Sequence, residues 1–248
     1  MHRYYEKYLY DELGKQNPDL FSYVSTPLWN YQKKGIDVMI ARYEGRYIYV
    51  DEKTAFTWCN TGLDTFFLEL SFINRYNERM KGWLLNDSLL TDVYAFAWLD
   101  LVDTEKAGYI TNRNKYLVVK SYFDEANGNL KILFREKNTD KTKWVRIGFD
   151  DIANVEIYFC PKKSILNFCR RNGLTDEEME FVSNPTNIER CRAKGWAKHL
   201  FPVVISRAEK SVGVKIKKND LFELSMKAYR IKDGKLINLH TSSTGIWG

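Results

Sequence analysis

Two aspartates and a lysine lie at matching ends of two neighbouring apolar segments near the start of the chain. Read as a β-hairpin that turns at residues 43–46, the segments place Asp37 close to Asp51 and Lys53. Side chains alternate between faces along a strand, so Asp51 and Lys53 share one face and Glu52 lies on the other. Carboxylates can hold a divalent metal ion, and a neighbouring ammonium can orient a water molecule. The spacing therefore indicates hydrolytic chemistry.

The context of the Asp-x-Lys triplet gives it weight, because the triplet alone is uninformative. The chain has a second one, Asp233-Gly234-Lys235, which reads as a plain turn because Asp-Gly is a turn dipeptide. The first triplet differs in following an apolar strand and in having an aspartate on the preceding strand. The alternative interpretation is an exposed hairpin whose charged end serves solubility.

The order of these residues resembles a known superfamily. Asp37 is followed 14 residues later by Asp51-Glu52-Lys53, which ends an apolar strand. This arrangement resembles the motifs of the PD-(D/E)XK nuclease superfamily, with Ile36 in place of the proline of the first motif.

The resemblance extends over about residues 28–72 and implies an α+β fold. That fold is a restriction-endonuclease-like core with a mixed central sheet flanked by helices, here followed by a helical and β C-terminal elaboration. Gln32, five residues before Asp37, is similar to a polar residue that some branches carry upstream and becomes a catalytic candidate.

The resemblance also implies a role for each residue of the two motifs. Asp37 and Asp51, with the backbone carbonyl of Glu52, would hold Mg²⁺ or Mn²⁺, and Lys53 would orient the attacking water. The expected activity is that of an endo- or exonuclease, a hydrolase acting on DNA more than on RNA, with a homodimer left open. The alternatives are a non-catalytic module that binds nucleic acid or protein, and a structural protein. The intact Asp37, Asp51 and Lys53 favour catalysis.

Glu69 is a further catalytic candidate, since it stands alone in the apolar, β-prone stretch of residues 64–73. A lone carboxylate in a buried strand is costly unless it is paired or bound to a metal ion. Glu69 would complete the metal shell or pair with Lys53 or Lys81. If the strand has one wet face, Glu69 simply lies on it.

The positive charge of the chain is unevenly distributed. Of the net +6, residues 1–124 contribute 15 Lys and Arg against 17 Asp and Glu, and residues 125–248 contribute 23 against 15. A near-neutral half that holds the acidic site, beside a basic half, fits a phosphate-rich partner. The expected partner is nucleic acid, and no membrane.

Two groups of basic residues are candidates for contacting that nucleic acid. Lys33 and Lys34 come just before Asp37 and would lie near a bound phosphate, or are ordinary surface charges. The densest basic and aromatic cluster, within residues 188–200, is either a phosphate-binding face or a solvated one. Its basic members are Arg190, Arg192, Lys194 and Lys198.

The elements that must position these residues follow from periodicity. A first helix is predicted over residues 3–13, ending at Gly14 as its C-cap. Residues 91–102 form either a long strand or a buried helix. Residues 212–216 alternate with lysines and are predicted to be an edge strand. Residues 221–231 and 235–239 are predicted to form a final hairpin.

Composition changes at Pro161, which divides the chain into a nuclease core, 1–160, and a basic elaboration, 161–248. Four scattered cysteines without a C-x-x-C pair argue against a zinc site and a disulfide framework. Neither a signal-peptide pattern nor a run of eighteen apolar residues is present. The expected location is the cytoplasm.

Overall fold

The structure, a computed structural model, describes residues 1–26, 29–41, 45–184, 186–187, 203–206 and 211–240. The chain is α+β, as predicted. Residues 2–16 form helix α1, in which a π-helical turn, Glu6–Tyr10, separates two α-helical ones. The remaining α-helices in the described residues are α2 (Trp29–Gln32), α3 (Thr104–Thr111), α4 (Lys162–Arg171), α5 (Asp176–Val182) and α6 (Lys218–Leu224).

The strands form three sheets. The first strands along the chain are β1 (Tyr23–Ser25), β2 (Val38–Ala41), β3 (Tyr47–Thr54), β4 (Thr65–Ile73), β5 (Arg79–Lys81), β6 (Val93–Leu101) and β7 (Tyr116–Asp124). They are followed by β8 (Asn129–Glu136), β9 (Thr142–Ile147), β10 (Ile152–Pro161), β11 (Val203–Ser206), β12 (Ser211–Lys217), β13 (Lys227–Lys232) and β14 (Lys235–Asn238).

The central sheet has seven strands in the order β1-β2-β3-β6-β10-β13-β14. It is mixed, because β3 and β6 run parallel while the other neighbours are antiparallel. Residues 91–102, for which the sequence allowed either a strand or a buried helix, contain the inner strand β6. Its side chains are buried on both faces, which explains a continuous apolar run without alternation.

One face of the central sheet is covered by α1 and by the three-stranded sheet β7-β8-β9. Tyr5, Leu9 and Leu13 of α1 pack in one core with Val38 and Val50. The predicted first helix thus packs on one face of the central sheet. The helix end is corrected, because Gly14 lies inside the helix and the last helical residue is Gln16.

The other face is covered by the four-stranded sheet β11-β12-β4-β5 together with α4, α5 and α6. The prediction for residues 212–216 was wrong, since β12 lies between β11 and β4. Its lysines occur at every second residue. This spacing is found on the outward face of an inner strand as well as on an edge strand, so it does not distinguish the two. The last hairpin is β13–β14, and residues 218–224 before it are helical.

Residues that follow the composition change at Pro161 complete both sheets of this arrangement. β13 pairs with β10 in the central sheet, and β12 pairs with β4 in the four-stranded sheet. The C-terminal segment is therefore joined to residues 1–160 by strand pairing as well as by helix packing.

Candidate active site

The predicted hairpin of β2 and β3 is confirmed as an adjacent, antiparallel pair. Val38 pairs with Val50, so continuation of this register brings Asp37 opposite Asp51. Gly45, in the turn, has a positive φ of 72°, which glycine adopts at little cost. Two carboxylates 14 residues apart in the sequence thus lie at the same end of one hairpin.

The backbone around Asp37 is held from both neighbouring strands. Its N–H donates to Val50 O at 2.8 Å, and its carbonyl accepts from Thr26 N–H at 3.0 Å. Its carboxylate Oδ2 accepts from the backbone N–H of Glu52 at 2.8 Å. These contacts fix Asp37 against the point where β3 carries the Asp-x-Lys triplet.

The turn before Asp37 requires a glycine. Gly35 has a φ of +70°, and a Cβ added there would lie 2.5 Å from Thr91 Oγ1. Thr91 Oγ1 donates to Gly35 O at 2.8 Å and ties the turn to the residues before β6. A side chain at this position would displace the segment that carries Asp37.

Asp51 and Lys53 share one face of β3, as their alternation predicts. Lys53 Nζ lies 2.7 Å from Asp51 Oδ1, and its ammonium is 5.4 Å from the ring centroid of Trp83. In the parallel pairing with β6, Asp51 lies beside Tyr94 and Lys53 beside Phe96. Tyr94 and Phe96 face the four-stranded sheet, so the pair lies on the side of the central sheet that this second sheet covers.

The carboxyl of Asp51 is the most perturbed acid of this group. Its side chain is 7% exposed. The pKa of Asp51 is raised to about 6, chiefly by burial; Lys53 opposes this shift, and the charge of Asp37 adds to it. The ionised form of Asp51 is therefore disfavoured mainly by its burial, and a bound cation would favour that form.

Glu52 points to the opposite face of β3, as predicted. Its carboxylate accepts from the Tyr10 hydroxyl at 2.9 Å and lies 3.0 Å from His2 Nδ1. Burial lowers the pKa of His2, but hydrogen bonding to Glu52 and its charge outweigh that effect and raise it. The Glu52 side chain thus anchors α1 to the sheet, and only its backbone is near Asp37.

Two further residues near Asp51, Lys162 and Tyr94, were not among the candidates predicted from the sequence. Burial lowers the pKa of Lys162, against the raising effects of the Asp87 and Asp51 charges, and its Nζ donates to Asn86 O at 3.1 Å. Burial and then the Asp51 charge raise the pKa of Tyr94, whose hydroxyl donates to a backbone carbonyl at 2.8 Å. The one available signal for Lys162 was a lysine directly after the apolar strand β10.

Glu69 lies on β4, in the four-stranded sheet. It alternates with Leu68 and Leu70, which are buried in the core between the two sheets, so its side chain lies on the opposite face of β4. The structure therefore does not bring Glu69 together with Asp37 and Asp51. The Glu69 side chain instead packs against Gly82, where an added Cβ would lie 2.7 Å from Glu69 Cγ.

Gln32, Lys33 and Lys34 lie in and just after α2 and are exposed. They precede the Gly35 turn, and Lys34 O accepts a hydrogen bond from Leu90 N–H at 2.9 Å. The basic candidates of the C-terminal half fall outside the described residues, namely Arg190, Arg192, Lys194 and Lys198.

Within the described ranges, no three or more His, Cys, Asp and Glu side chains are grouped so that they could hold a metal ion. A cation at Asp37 and Asp51 would thus depend on backbone oxygen and water for its other ligands.

In the part of the chain that the structure describes, every helix is too short or too polar to cross a membrane. Comparison of the chain with protein-family models, curated proteins and solved structures found no match.

Proposed function

We propose that this protein is a metal-dependent nuclease that hydrolyses phosphodiester bonds in nucleic acid, DNA in preference to RNA. One observation carries the proposal. Asp37 and Asp51 meet at one end of the β2–β3 hairpin, with Lys53 Nζ 2.7 Å from Asp51 Oδ1. Two carboxylates can bind a cation, and an ammonium beside them can assist the hydrolysis of a phosphate ester.

The residues present fit Mg²⁺ or Mn²⁺. Hard divalent cations prefer oxygen ligands, and Asp37 and Asp51 supply carboxylate oxygens. In an extended strand the N–H and C=O of one residue point to the same side. Since Glu52 N–H is directed to Asp37, the Glu52 carbonyl is directed to that side too. Burial raises the pKa of Asp51, and a cation bound to this carboxyl would favour its charged form.

Each side chain then has a task. When bound, a divalent cation polarises a phosphate oxygen and lowers the pKa of a water molecule. Lys53, held by Asp51 and by the Trp83 ring, would donate to the attacking water and to the charge that develops on the phosphate. Lys162, within electrostatic range of Asp51, would add positive charge for a scissile phosphate.

Single-turnover cleavage tests the proposal. Plasmid DNA, a labelled DNA oligonucleotide and its RNA counterpart are incubated with the protein and Mn²⁺, and Mn²⁺ affinity is measured by calorimetry. Asp51→Asn should remove cleavage and weaken Mn²⁺ binding at least about tenfold, as expected for a lost carboxylate ligand. Asp19→Asn, at an exposed carboxylate outside the β2–β3 hairpin, is the matched control.

Two results would contradict the proposal. Wild-type protein that binds Mn²⁺ but cleaves none of the substrates would leave a binding module on the same fold. Cleavage that survives in Asp51→Asn and in Asp37→Asn would place the chemistry elsewhere on the chain.

A further inference from the structure

The sheet β7-β8-β9 has one face buried and one face open. Ile132, Phe134, Val145 and Ile147 pack into the core beneath it. Alternation places the neighbouring side chains on the outer face. We call this surface the β7–β9 face, formed by Lys120, Tyr122, Lys131, Leu133, Trp144 and Arg146.

The strand pairing arranges these six side chains in two rows. Tyr122 pairs with Lys131, which pairs with Arg146. In the next row Lys120 pairs with Leu133, which pairs with Trp144. Each row thus crosses all three strands and joins at least one cation to an aromatic ring.

The two aromatic rings are accessible. Tyr122 is 43% and Trp144 is 49% exposed, and their centroids lie 5.8 Å apart in a T-shaped contact. Lys120 Nζ and Lys131 Nζ are 5.8 and 5.9 Å from the Tyr122 centroid. The two lysines thus lie against the tyrosine ring, and the exposed tryptophan lies next to that ring, so the face presents rings for stacking and charge for phosphate.

The charge of the face is positive with little compensation. Lys131 pairs with Asp124 at 2.7 Å. Lys120 and Arg146 form no ion pair with any carboxylate that the structure describes. Surfaces that bind single-stranded nucleic acid combine cations along the backbone with aromatic rings on which bases stack.

We propose that the β7–β9 face binds single-stranded nucleic acid. The positive charge of the face favours the phosphate backbone of a nucleic acid. The exposed ring of Trp144 favours bases that are not already stacked in a duplex. The rows lie about 6.6 Å apart along β8, so the face has room for about two or three bases.

This surface is distinct from the candidate active site. The core beneath it contains Val50, on the face of β3 opposite to Asp51. Single-stranded nucleic acid bound to the β7–β9 face does not touch Lys53. The face would therefore hold one segment of the substrate while cleavage occurs at the candidate active site, on the opposite side of the central sheet. Nucleic acid is the expected partner both of this face and of the candidate active site, so the proposed binding extends the proposed function. The two surfaces consist of different residues, so binding and cleavage can fail separately.

Fluorescence anisotropy in EDTA tests the inference, because binding is measured while metal-dependent cleavage is absent. The probe is a fluorescein-labelled 20-nucleotide DNA single strand, compared with the same strand annealed to its complement. The single strand should bind more tightly than the duplex. Trp144→Ala should weaken single-strand binding about tenfold, the loss of one stacked base.

The charge contribution is measured from the salt dependence. In the double variant Lys120→Ala with Arg146→Ala, the slope of log affinity against log salt should fall by about 1.4 in magnitude, for two lost phosphate contacts. Trp58→Ala is the aromatic control, since Trp58 is 53% exposed and lies after β3. The double variant Lys232→Ala with Lys235→Ala is the charge control.

Three outcomes would overturn the inference. One is single-strand binding by Trp144→Ala no weaker than by the Trp58→Ala control. A second is duplex bound as tightly as single strand with an unchanged salt slope in the charge variant. The third is a dimer in sedimentation velocity that Trp144→Ala converts to monomer, which would assign this face, with the exposed Val118 and Val119 beside it, to a second copy of the chain.

Discussion

The carboxylate of Asp37 accepts a hydrogen bond of 2.8 Å from the backbone N–H of Glu52, across the end of the β2–β3 hairpin. Asp37 therefore helps to hold the hairpin together and, in the proposed site, also supplies an oxygen to a cation. The two roles have different chemical requirements. A neutral carbonyl oxygen is sufficient to accept the N–H, whereas a hard cation prefers a carboxylate.

The first prediction separates these roles at Asp37. Asp37→Asn keeps an acceptor for Glu52 N–H, so its free energy of unfolding should stay within about 0.5 kcal/mol of the wild type. Asp37→Ala leaves that N–H without its partner and should lose about 1–2 kcal/mol. Both variants should lose Mn²⁺ binding. Urea denaturation and calorimetry provide the measurements, and equal unfolding curves for the two variants would show that the hydrogen bond contributes nothing.

The second prediction concerns the pH dependence of stability. Because the pKa of Asp51 is raised to about 6, the folded state retains a proton between pH 4 and 6 that the unfolded state has released. Stability should therefore fall as pH rises through this window. The difference of about two pKa units corresponds to about 3 kcal/mol between pH 4 and 7. Asp51→Asn has no such proton and should lack this fall.

Urea unfolding of the wild type and of Asp51→Asn in EDTA, at a series of pH values from 4 to 7, tests this expectation. Carboxylates distant from Asp51 contribute equally to both proteins, so the difference between the curves reports Asp51 together with its interaction with Asp37. Parallel curves would mean that Asp51 titrates like an ordinary aspartate, and the account of a buried carboxyl with a raised pKa beside Asp37 would be wrong.

Local pattern was sufficient to predict the part of the site that lies within one hairpin. The alternation along β3 assigned Asp51 and Lys53 to one face and Glu52 to the other, and the hairpin that turns at Gly45 brought Asp37 opposite Asp51. These relationships depend on residues close in sequence, where strand periodicity decides the geometry.

Relationships between distant segments could not be predicted in this way. Glu69 has the residue type and the apolar surroundings expected of a metal ligand, but β4 belongs to a different sheet. Lys162 comes near Asp51 because β10 lies beside β6, which lies beside β3. Neither pairing leaves a trace in local periodicity, since sheet order is set by packing over the whole chain.

The third prediction is that the Glu52 side chain matters for stability and little for catalysis. Its carboxylate accepts the hydrogen bond of Tyr10, a fully buried tyrosine. Glu52→Ala leaves that hydroxyl without its acceptor and should cost about 1–3 kcal/mol of unfolding free energy. Glu52→Gln keeps an acceptor and should cost less. Once folded, both should bind Mn²⁺ and cleave within a few-fold of the wild type, since the proposed ligand is the backbone carbonyl. Loss of cleavage in folded Glu52→Gln would contradict the assigned face.

The fourth prediction concerns Lys53 and separates binding from chemistry. Lysine does not bind the cation, so Lys53→Ala should retain Mn²⁺ affinity at a pH well above 6. The ammonium lowers the pKa of Asp51, so its removal raises that pKa and should shift the pH profile of Mn²⁺ binding upward. Single-turnover cleavage should fall by about a hundredfold or more, as for the loss of one group that stabilises the transition state.

The matched control for Lys53→Ala is Lys235→Ala, at the end of the chain's other Asp-x-Lys triplet. Asp233 and Gly234 both have positive φ, so this second triplet forms the turn between β13 and β14. Lys235→Ala should leave cleavage, Mn²⁺ affinity and the pH profile unchanged. An equal loss of rate in the two variants would mean that Lys53 acts only through the overall charge of the protein. A normal rate in Lys53→Ala with an upward shift in the binding profile would limit Lys53 to tuning Asp51.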